Sequence, residues 1–215
     1  MNKAFFLSIE GPDGAGKTTM LKQLLPKLED KYGDDVVSVR EPGGVRISEA
    51  IRNIVLGEGE HLYKEMDPRT EALLFAASRA QLIAQKIIPE LKENHIVIAD
   101  RYVDSSIAYQ GGGRNLGISG IEEINKFATG GLTPDLTIYI DVPSEIGIAR
   151  IMQNRAQEAN RLDQDELDFH KKVRDTYLVL LKKYPNRIVK LDGTKNTKQL
   201  VQESLELIYK RIEEK

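Results

Sequence analysis

Short runs of apolar residues alternate with longer amphipathic segments along this chain. Five of these runs have the length and the apolar composition of buried β-strands. They cover residues 4–9, 36–39, 95–99, 136–142 and 187–191. The pattern therefore predicts five strands that are spread over the whole chain.

The segments between the strands place apolar residues at helical spacing. Leu21, Leu24 and Leu28 recur at i, i+3 and i+7, which is one face of a helix. Helices are predicted over residues 18–31, 48–56, 67–93 and 164–184, and from residue 196 onward. Because strands and helices alternate without a hairpin signal, we expect an α/β fold with a five-stranded parallel sheet and helices on both faces.

One stretch stands apart from this alternation. Residues 150–161 lack core periodicity and are rich in Arg, Gln, Asn and Ala. Such a stretch is either a solvated loop between helices or a mobile flap. We therefore predict a single domain over residues 1–215, with a small lid at about residues 150–161.

The composition narrows the classes of function. The chain has 215 residues, with 31 Lys and Arg against 33 Asp and Glu, so its formal net charge is −2. This balance argues against a dedicated nucleic-acid binder, which usually carries a basic excess. The absence of cysteine excludes a disulfide scaffold, a thiolate metal site and a cysteine nucleophile. No apolar run approaches the roughly 18 to 20 residues of a membrane helix, and the N-terminus lacks a signal-peptide pattern, so we expect a cytoplasmic protein without a membrane partner.

A glycine-rich loop follows the first predicted strand. Residues 11–18 match the pattern G-x-x-x-x-G-K-T in full, and we call them the phosphate loop. Glycines let the backbone turn around a phosphate with its N–H groups pointing inward, and the following helix adds its positive dipole end. Lys17 can reach the β- and γ-phosphates of ATP, and Thr18 can bind Mg²⁺. The predicted nucleotide-binding residues are Gly11, Asp13, Gly14, Ala15, Gly16, Lys17, Thr18 and Thr19.

A second candidate for the metal site ends the third predicted strand. Asp100 follows a run of apolar residues there. A strand-terminal aspartate is often a helix cap, but P-loop enzymes place a carboxylate for the Mg²⁺ shell at the end of a neighbouring strand. We therefore predict that Thr18 and Asp100 lie beside Mg²⁺.

Arginines gather after the predicted strands and in the 150–161 stretch. Phosphoryl transfer between two anions needs such cations, because like charges must be brought together. The guanine-reading pattern N-K-x-D fails at residues 125–128, which argues against a GTPase. The arginines favour a small-molecule kinase with a phosphorylated acceptor, although each one alone is also compatible with a surface ion pair.

One helix carries a candidate for base recognition. Phe75 and Arg79 are four residues apart and so share a helical face. An aromatic ring can stack on a nucleobase while a neighbouring guanidinium donates hydrogen bonds to a carbonyl edge. Phe75 could equally be a core residue.

Five segments carry a more specific signal: EGPDGAGKTT at residues 10–19, REPGG at 40–44, RTEALLFAASR at 69–79, DRYVDSSIAYQ at 100–110 and PDLT at 134–137. The first is shared by many nucleotide-binding proteins, whereas the other four together are highly specific. Over essentially its whole length the chain resembles bacterial thymidylate kinases, also called dTMP kinases. The resemblance implies a P-loop nucleoside monophosphate kinase fold, Mg²⁺-assisted phosphorylation of dTMP by ATP for dTTP synthesis, and a homodimer.

The resemblance implies residues that hold the two bases. Phe75 would stack on thymine, and Arg79 would donate a hydrogen bond to its O4 atom. Ser106 and Gln110 match positions that face the edge of the thymine ring. The turn at residues 192–194 matches the place where such kinases cradle adenine.

It also implies residues that hold the sugar and the phosphate of the acceptor. Asp13 would contact the 3′-hydroxyl, and Tyr102 would crowd the 2′ position and so disfavour ribonucleotides. Arg101 would hold the acceptor phosphate, and Arg52 would approach it. Glu41 would lie near this phosphate and the metal.

The family divides by the position of its catalytic arginine, which lies either in the phosphate loop or in the lid. The variable positions of this phosphate loop carry no arginine, so the chain resembles the lid-arginine type. Arg150, Arg155 and Arg161 are the candidates in the lid, and we favour the first two. Together with Lys17 and Arg101 they form the predicted catalytic set.

Three other functions stay open from the residues themselves. One is a different nucleoside monophosphate kinase, which would accept dUMP, UMP or AMP. Another is a P-loop ATPase or switch that has no acceptor. The last is a nucleotide-binding protein without catalysis. The four acceptor-side segments favour the dTMP kinase over the latter two.

Overall fold

A computed structural model of the chain describes residues 4–56, 66–154 and 167–215. Its five parallel strands form one sheet in the order β2-β3-β1-β4-β5. The strands are β1 (Phe5–Glu10), β2 (Val36–Arg40), β3 (Ile96–Asp100), β4 (Leu136–Asp141) and β5 (Ile188–Asp192). The predicted five-stranded parallel sheet is confirmed, and its strand ends differ from the predicted ones by no more than one residue.

The helices fill the segments between the strands. They are α1 (Lys17–Tyr32), α2 (Arg46–Leu56), α3 (Pro68–Leu82), α4 (Ile88–Lys92), α5 (Val103–Ser106), α6 (Ile118–Thr129), α7 (Ser144–Asn154), α8 (Leu167–Lys183) and α9 (Thr197–Glu214). Two π-helical turns, Ile83–Ile87 and Ile107–Gly113, follow α3 and α5 directly. None of the described helices combines the length and the apolarity that a bilayer crossing requires.

Both faces of the sheet are covered, because successive side chains of a strand point to opposite sides. On β1, Phe5, Leu7 and Ile9 belong to an apolar cluster that includes residues of α1 and α9. Phe6 belongs to a second cluster, which includes Leu82 of α3. The predicted placement of helices on both faces is confirmed.

Several segments that directly follow the strands have unusual backbone conformations. The end of β1 leads into the phosphate loop, and β2 leads into a cis peptide bond between Glu41 and Pro42. Arg101, directly after β3, has a φ of 73°, which is rare for a residue with a side chain. Because the strands are parallel, all these segments meet at one edge of the sheet, where α/β proteins bind their ligands.

The predicted lid needs a correction at its start. Residues 150–154 continue α7, so Arg150 lies on a helix and not in a flap. Arg, Ile, Met and Gln favour helices, and Ile151 is buried against the rest of the fold. Residues 155–161, with Arg155 and Arg161, lie outside the described residues, and a lid there stays a prediction.

Candidate active site

A cavity of about 800 Å³ opens at the carboxyl edge of the sheet. The predicted site residues that line it are Asp13, Gly14, Ala15, Gly16, Lys17, Thr18, Thr19, Glu41, Arg52, Phe75, Arg79, Asp100, Arg101, Ser106, Gln110 and Arg150. Gly11 and Tyr102 lie outside its wall, and Arg155 is outside the described residues. The fold thus brings together candidates that are far apart in sequence.

The phosphate loop wraps around the start of α1. Gly14 and Gly16 have φ values of 75° and 92°, which L side chains rarely adopt. A Cβ atom on Gly14 would lie 2.1 Å from the carbonyl oxygen of Gly147, so only glycine fits there. Lys17 donates to the carbonyl oxygens of Gly11, at 2.9 Å, and of Pro12, at 3.1 Å. Burial, aided by the charge of Arg101, lowers the pKa of Lys17 to about 8.

Arg101 and Asp13 form an ion pair in the wall of the cavity. The guanidinium of Arg101 pairs with the Asp13 carboxylate, and it also donates to the carbonyl oxygen of Gly11 at 3.0 Å. The hydroxyl of Tyr109 donates to Asp13 at 2.6 Å. Burial by itself would raise the pKa of Asp13, but the charges of Arg101 and Lys17 outweigh it and hold this pKa at about 2. The carboxylate is therefore ionised at neutral pH.

Arg79 is held in the wall of the cavity by several hydrogen bonds. Its Nε donates to Glu41 at 2.7 Å, and its side chain is 1% exposed. Its terminal nitrogens donate to Ser106 at 3.0 Å, to the carbonyl oxygen of Tyr102 at 3.1 Å, and to Asn125. Burial raises the pKa of Glu41, although Arg79 opposes this. The guanidinium is thereby fixed before any ligand binds.

The remaining base-site candidates also form part of this wall. Phe75 is half-buried and lines the cavity, and it belongs to none of the apolar clusters among the described residues. Gln110 donates to the buried carboxylate of Glu71 at 2.9 Å, which fixes its amide. Phe75 is thus not a core residue, and its stacking on a base stays a prediction.

The predicted role of Tyr102 is wrong. Its ring is fully buried, stands edge-on to Phe6 with ring centroids 5.0 Å apart, and donates its hydroxyl to the carbonyl oxygen of Leu132. Tyr102 follows Arg101, whose left-handed φ of 73° turns the chain here, and its side chain lies in the core. Tyr109 lines the cavity instead, beside Asp13.

Arg150 and the turn after β5 close the other end of the cavity. Arg150 donates to the carbonyl oxygens of Gly14, at 3.3 Å, and of Gly193, at 3.0 Å. It therefore joins the phosphate loop to this turn. Residues 193–197 line the cavity there, which fits the adenine site that the resemblance implies.

Sequence reasoning missed two residues of the site's support. Asn125, on α6, accepts from Arg79, and no local pattern points to this contact because the two residues are 46 positions apart. Glu10, the last residue of β1, is fully buried under the phosphate loop. The sequence does point to Glu10, because an acidic residue at the end of an apolar strand needs buried hydrogen-bond partners.

Known proteins resemble this chain over nearly all of its length. A family model described as thymidylate kinase matches residues 9–204. The thymidylate kinase of Oenococcus oeni is 59% identical over 212 residues, covering 99% of this chain and 98% of that protein. The thymidylate kinase of Leuconostoc mesenteroides is 52% identical over 215 residues, covering 100% of both.

A solved structure agrees with these relatives. The crystal structure of thymidylate kinase from Ehrlichia chaffeensis is 30% identical in sequence, with a TM-score of 0.78. The match covers 96% of this chain and 99% of that one. The fold is that of the P-loop nucleoside monophosphate kinases, as the resemblance implied. The chain therefore belongs to the thymidylate kinase family.

Proposed function

We propose that this chain transfers the γ-phosphoryl group of ATP to the phosphate of dTMP, giving ADP and dTDP. One observation carries the proposal: a single cavity is lined by the phosphate loop and also by the cations Arg79 and Arg101 and the aromatic ring of Phe75. Family membership supports this reaction over the other monophosphate kinases and over an ATPase without an acceptor. The product supplies dTTP synthesis.

The donor would bind along the phosphate loop. Lys17 would contact the β- and γ-phosphates, and Arg150 would approach the γ-phosphate from α7. Adenine would lie against the turn that includes Gly193 and Thr194, which lines the same end of the cavity. Arg155 would close over the donor if the lid forms as predicted.

The acceptor would bind between Arg101 and Arg79. Arg101 would hold its phosphate, and Asp13, which Arg101 orients, would accept from the 3′-hydroxyl. Phe75 would stack on the thymine ring beside Arg79. Ser106, Gln110, Glu41 and Arg52 would complete this half of the cavity. The acceptor phosphate is already an anionic nucleophile, so catalysis requires alignment and charge stabilisation more than a strong base.

We also propose Mg²⁺ as the metal, held by Thr18 and Asp100 together with the phosphates of ATP. Both residues line the cavity beside Lys17. Among residues 4–56, 66–154 and 167–215, no group of three or more His, Cys, Asp or Glu side chains could hold a metal alone. This donor set fits Mg²⁺, which is usually bound by one or two carboxylates plus substrate phosphates. When bound, it would neutralise charge on the β- and γ-phosphates.

We propose that the chain forms a homodimer through α2 and α3. Ile47 and Ile54 are seven residues apart on one face of α2, and they are 54% and 49% exposed. Leu73, on the adjacent α3, is 56% exposed. A second copy would cover these side chains. Sedimentation velocity should give a dimer, and Leu73→Glu should shift it toward monomer, whereas a monomeric native chain would contradict the proposal.

A cytoplasmic location follows from the same proposal, because both substrates, ATP and dTMP, are cytoplasmic metabolites in bacteria. The chain would act there on free nucleotides, and we propose no nucleic-acid or membrane partner. Fractionation of cells that express the chain would test this placement.

An acceptor panel tests the function most directly. ADP release from ATP and Mg²⁺ should depend on the added monophosphate, with dTMP preferred over dUMP, UMP and AMP. Lys17→Ala should lose most of the turnover while dTMP binding, measured by calorimetry, is largely kept. ADP release that ignores the monophosphate would favour an ATPase, and unchanged turnover in Lys17→Ala would contradict the role of the phosphate loop.

A further inference from the structure

Glu10 is a fully buried carboxylate directly before the phosphate loop. Four groups donate to its two oxygens. Oε1 accepts from the backbone N–H of Tyr102 at 2.7 Å and from the hydroxyl of Ser8 at 3.1 Å. Oε2 accepts from the hydroxyls of Ser105 at 2.6 Å and of Tyr177 at 3.0 Å. Glu10 does not line the cavity, so any effect on the reaction must pass through another residue.

One of these donors connects Glu10 to the proposed phosphate-binding arginine. Ser105 accepts from the guanidinium of Arg101 at 3.1 Å. A hydroxyl has a single hydrogen, and this one is directed at Glu10, so a lone pair of Ser105 faces Arg101. The carboxylate therefore sets the direction of the Ser105 hydroxyl, and the hydroxyl sets one bond of the guanidinium.

A second connection runs through the backbone. Arg101 has a left-handed φ of 73°, which costs conformational energy for a residue with a side chain. Its N–H donates to the carbonyl oxygen of Ile9 at 3.0 Å, and the next N–H, of Tyr102, donates to Glu10. The end of β1 thus holds both peptide groups that flank the Arg101 side chain.

The buried surroundings of Glu10 disfavour its ionised form, a cost that a purely structural side chain need not carry. Burial, together with the charge of Asp104, raises the pKa of Glu10 to about 7, although the hydrogen bonds from Ser105 and Tyr102 and the charge of Arg101 oppose this. An apolar residue would avoid this cost. Strongly perturbed groups beside a cavity are characteristic of functional sites.

We infer that Glu10 is a positioning residue, which holds the guanidinium of Arg101 in the direction of the acceptor phosphate through Ser105 and the backbone of Tyr102. The inference rests on the proposed role of Arg101 in dTMP binding. It adds a residue that touches neither substrate but controls the affinity for one of them.

Glu10→Gln keeps the shape of the side chain but presents an amide N–H₂ group to donors. We expect the KM for dTMP to rise about tenfold or more, the amount that loss of a charge-assisted hydrogen bond produces. The KM for ATP should change less than about twofold. Ser105→Ala should behave like Glu10→Gln. Ser8→Ala is the matched control, because it removes a donor to Glu10 that has no contact with Arg101, and it should leave the KM for dTMP unchanged.

A double-mutant cycle tests the role of Glu10 separately from the proposed role of Arg101. Arg101→Lys alone should raise the KM for dTMP, and adding Glu10→Gln should then cost little more, because both changes remove the same arrangement. An equal cost of Glu10→Gln in both backgrounds, or a lower melting temperature with an unchanged KM for dTMP, would overturn the role of Glu10. If Arg101→Lys leaves the KM unchanged, the proposed role of Arg101 fails and the inference fails with it.

Discussion

Three cations line the cavity, and each is held in place by different hydrogen-bond partners. Arg79 directs its N–H groups at Glu41, Ser106, Asn125 and the backbone of Tyr102, so its position is fixed in advance. Arg101 is 18% exposed and pairs with Asp13, which leaves it in contact with the cavity. Lys17 donates to two carbonyl groups of the loop that it would serve. Pre-oriented charges beside the phosphates, as proposed for Lys17 and Arg101, would stabilise a transition state without reorganising when it forms.

Phe75→Ala should weaken dTMP binding far more than ATP binding. Loss of base stacking on an aromatic ring costs about 1–3 kcal/mol, and Phe75 lines the cavity as the proposed partner of thymine. Calorimetric titration of each nucleotide into the variant would measure both affinities. Equal losses for the two nucleotides would mean that Phe75 supports the fold and not the base.

Tyr109 should replace Tyr102 as the residue that senses the sugar. It bonds to Asp13, the proposed partner of the 3′-hydroxyl, and its ring lines the cavity. Tyr109→Ala should therefore narrow the preference for dTMP over its ribonucleotide counterpart, measured as the ratio of kcat/KM values. Tyr102→Ala should lower stability by about 3–5 kcal/mol, as large core truncations do, and leave this ratio unchanged. If Tyr102→Ala changed this ratio and Tyr109→Ala did not, the prediction made for Tyr102 from the sequence would be correct after all.

At the scale of elements, the π-helical segment Ile107–Gly113 places the acceptor-side residues. It bears Tyr109 and Gln110 on the cavity side and packs Gly112 and Gly113 against α8. A Cβ atom on Gly113 would lie 2.5 Å from the ring of Phe169. The close approach of α8 thus depends on the glycines, and the position of Tyr109 depends on that approach. Such π-helical turns occur often at functional sites.

Gly112→Ala should destabilise the fold by about 1–3 kcal/mol, the usual cost of overpacking. The new Cβ atom would lie 1.9 Å from Oγ1 of Thr176 and 2.8 Å from its Cβ. Chemical denaturation would measure the loss, and Thr176→Ala should restore part of it. Gly120→Ala on α6 is the control, because its Cβ atom would meet nothing within 4 Å and alanine favours helix. Equal effects of both alanines would contradict the packing explanation.

At the scale of the whole molecule, β1 lies at the centre of the sheet and connects its two halves. It pairs with β3 on one side and with β4 on the other, and it ends in the buried Glu10 and the phosphate loop. The charged or titratable groups that face Glu10 come from several elements: Asp104, Arg101, Lys17, Tyr177 and Arg187. The ionisation of this one group is therefore coupled to the stability of the whole fold.

The stability of the protein should depend on pH through Glu10. Its pKa is about 7 in the folded chain and 4.5 as its usual value, so the folded state keeps a proton that the unfolded state has lost. Stability therefore falls as pH rises from about 4.5 to about 7, by about 3 kcal/mol. Glutamine does not ionise, so Glu10→Gln should not lose this stability. The free energy of unfolding of the variant should therefore rise relative to that of the native chain as pH rises across this range. A pH-independent difference would contradict the raised pKa.

The five strands, the helical covering of both faces and the phosphate loop all follow from local patterns, and the structure confirms the sheet within one residue at each strand end. The reason is that strand periodicity, glycine spacing and helix faces are encoded by neighbours in sequence. Most candidate site residues line one cavity, because the carboxyl ends of parallel strands meet at one edge of the sheet. α6 is not among the predicted helices, although Ile121, Ile124 and Ala128 recur in it at the helical spacing i, i+3 and i+7.

Tertiary packing decided which of two nearby tyrosines lies at the cavity: Tyr102 packs against Phe6 in the core, whereas Tyr109 lies on the π-helical segment and lines the cavity. It also decided that Arg150 lies on a helix, because packing of Ile151 extends α7. The support from Glu10 and Asn125 likewise depends on contacts between residues 46 or more positions apart. The fold and the kinds of chemical group at the site follow from the sequence pattern, whereas long-range packing determined how these groups are held.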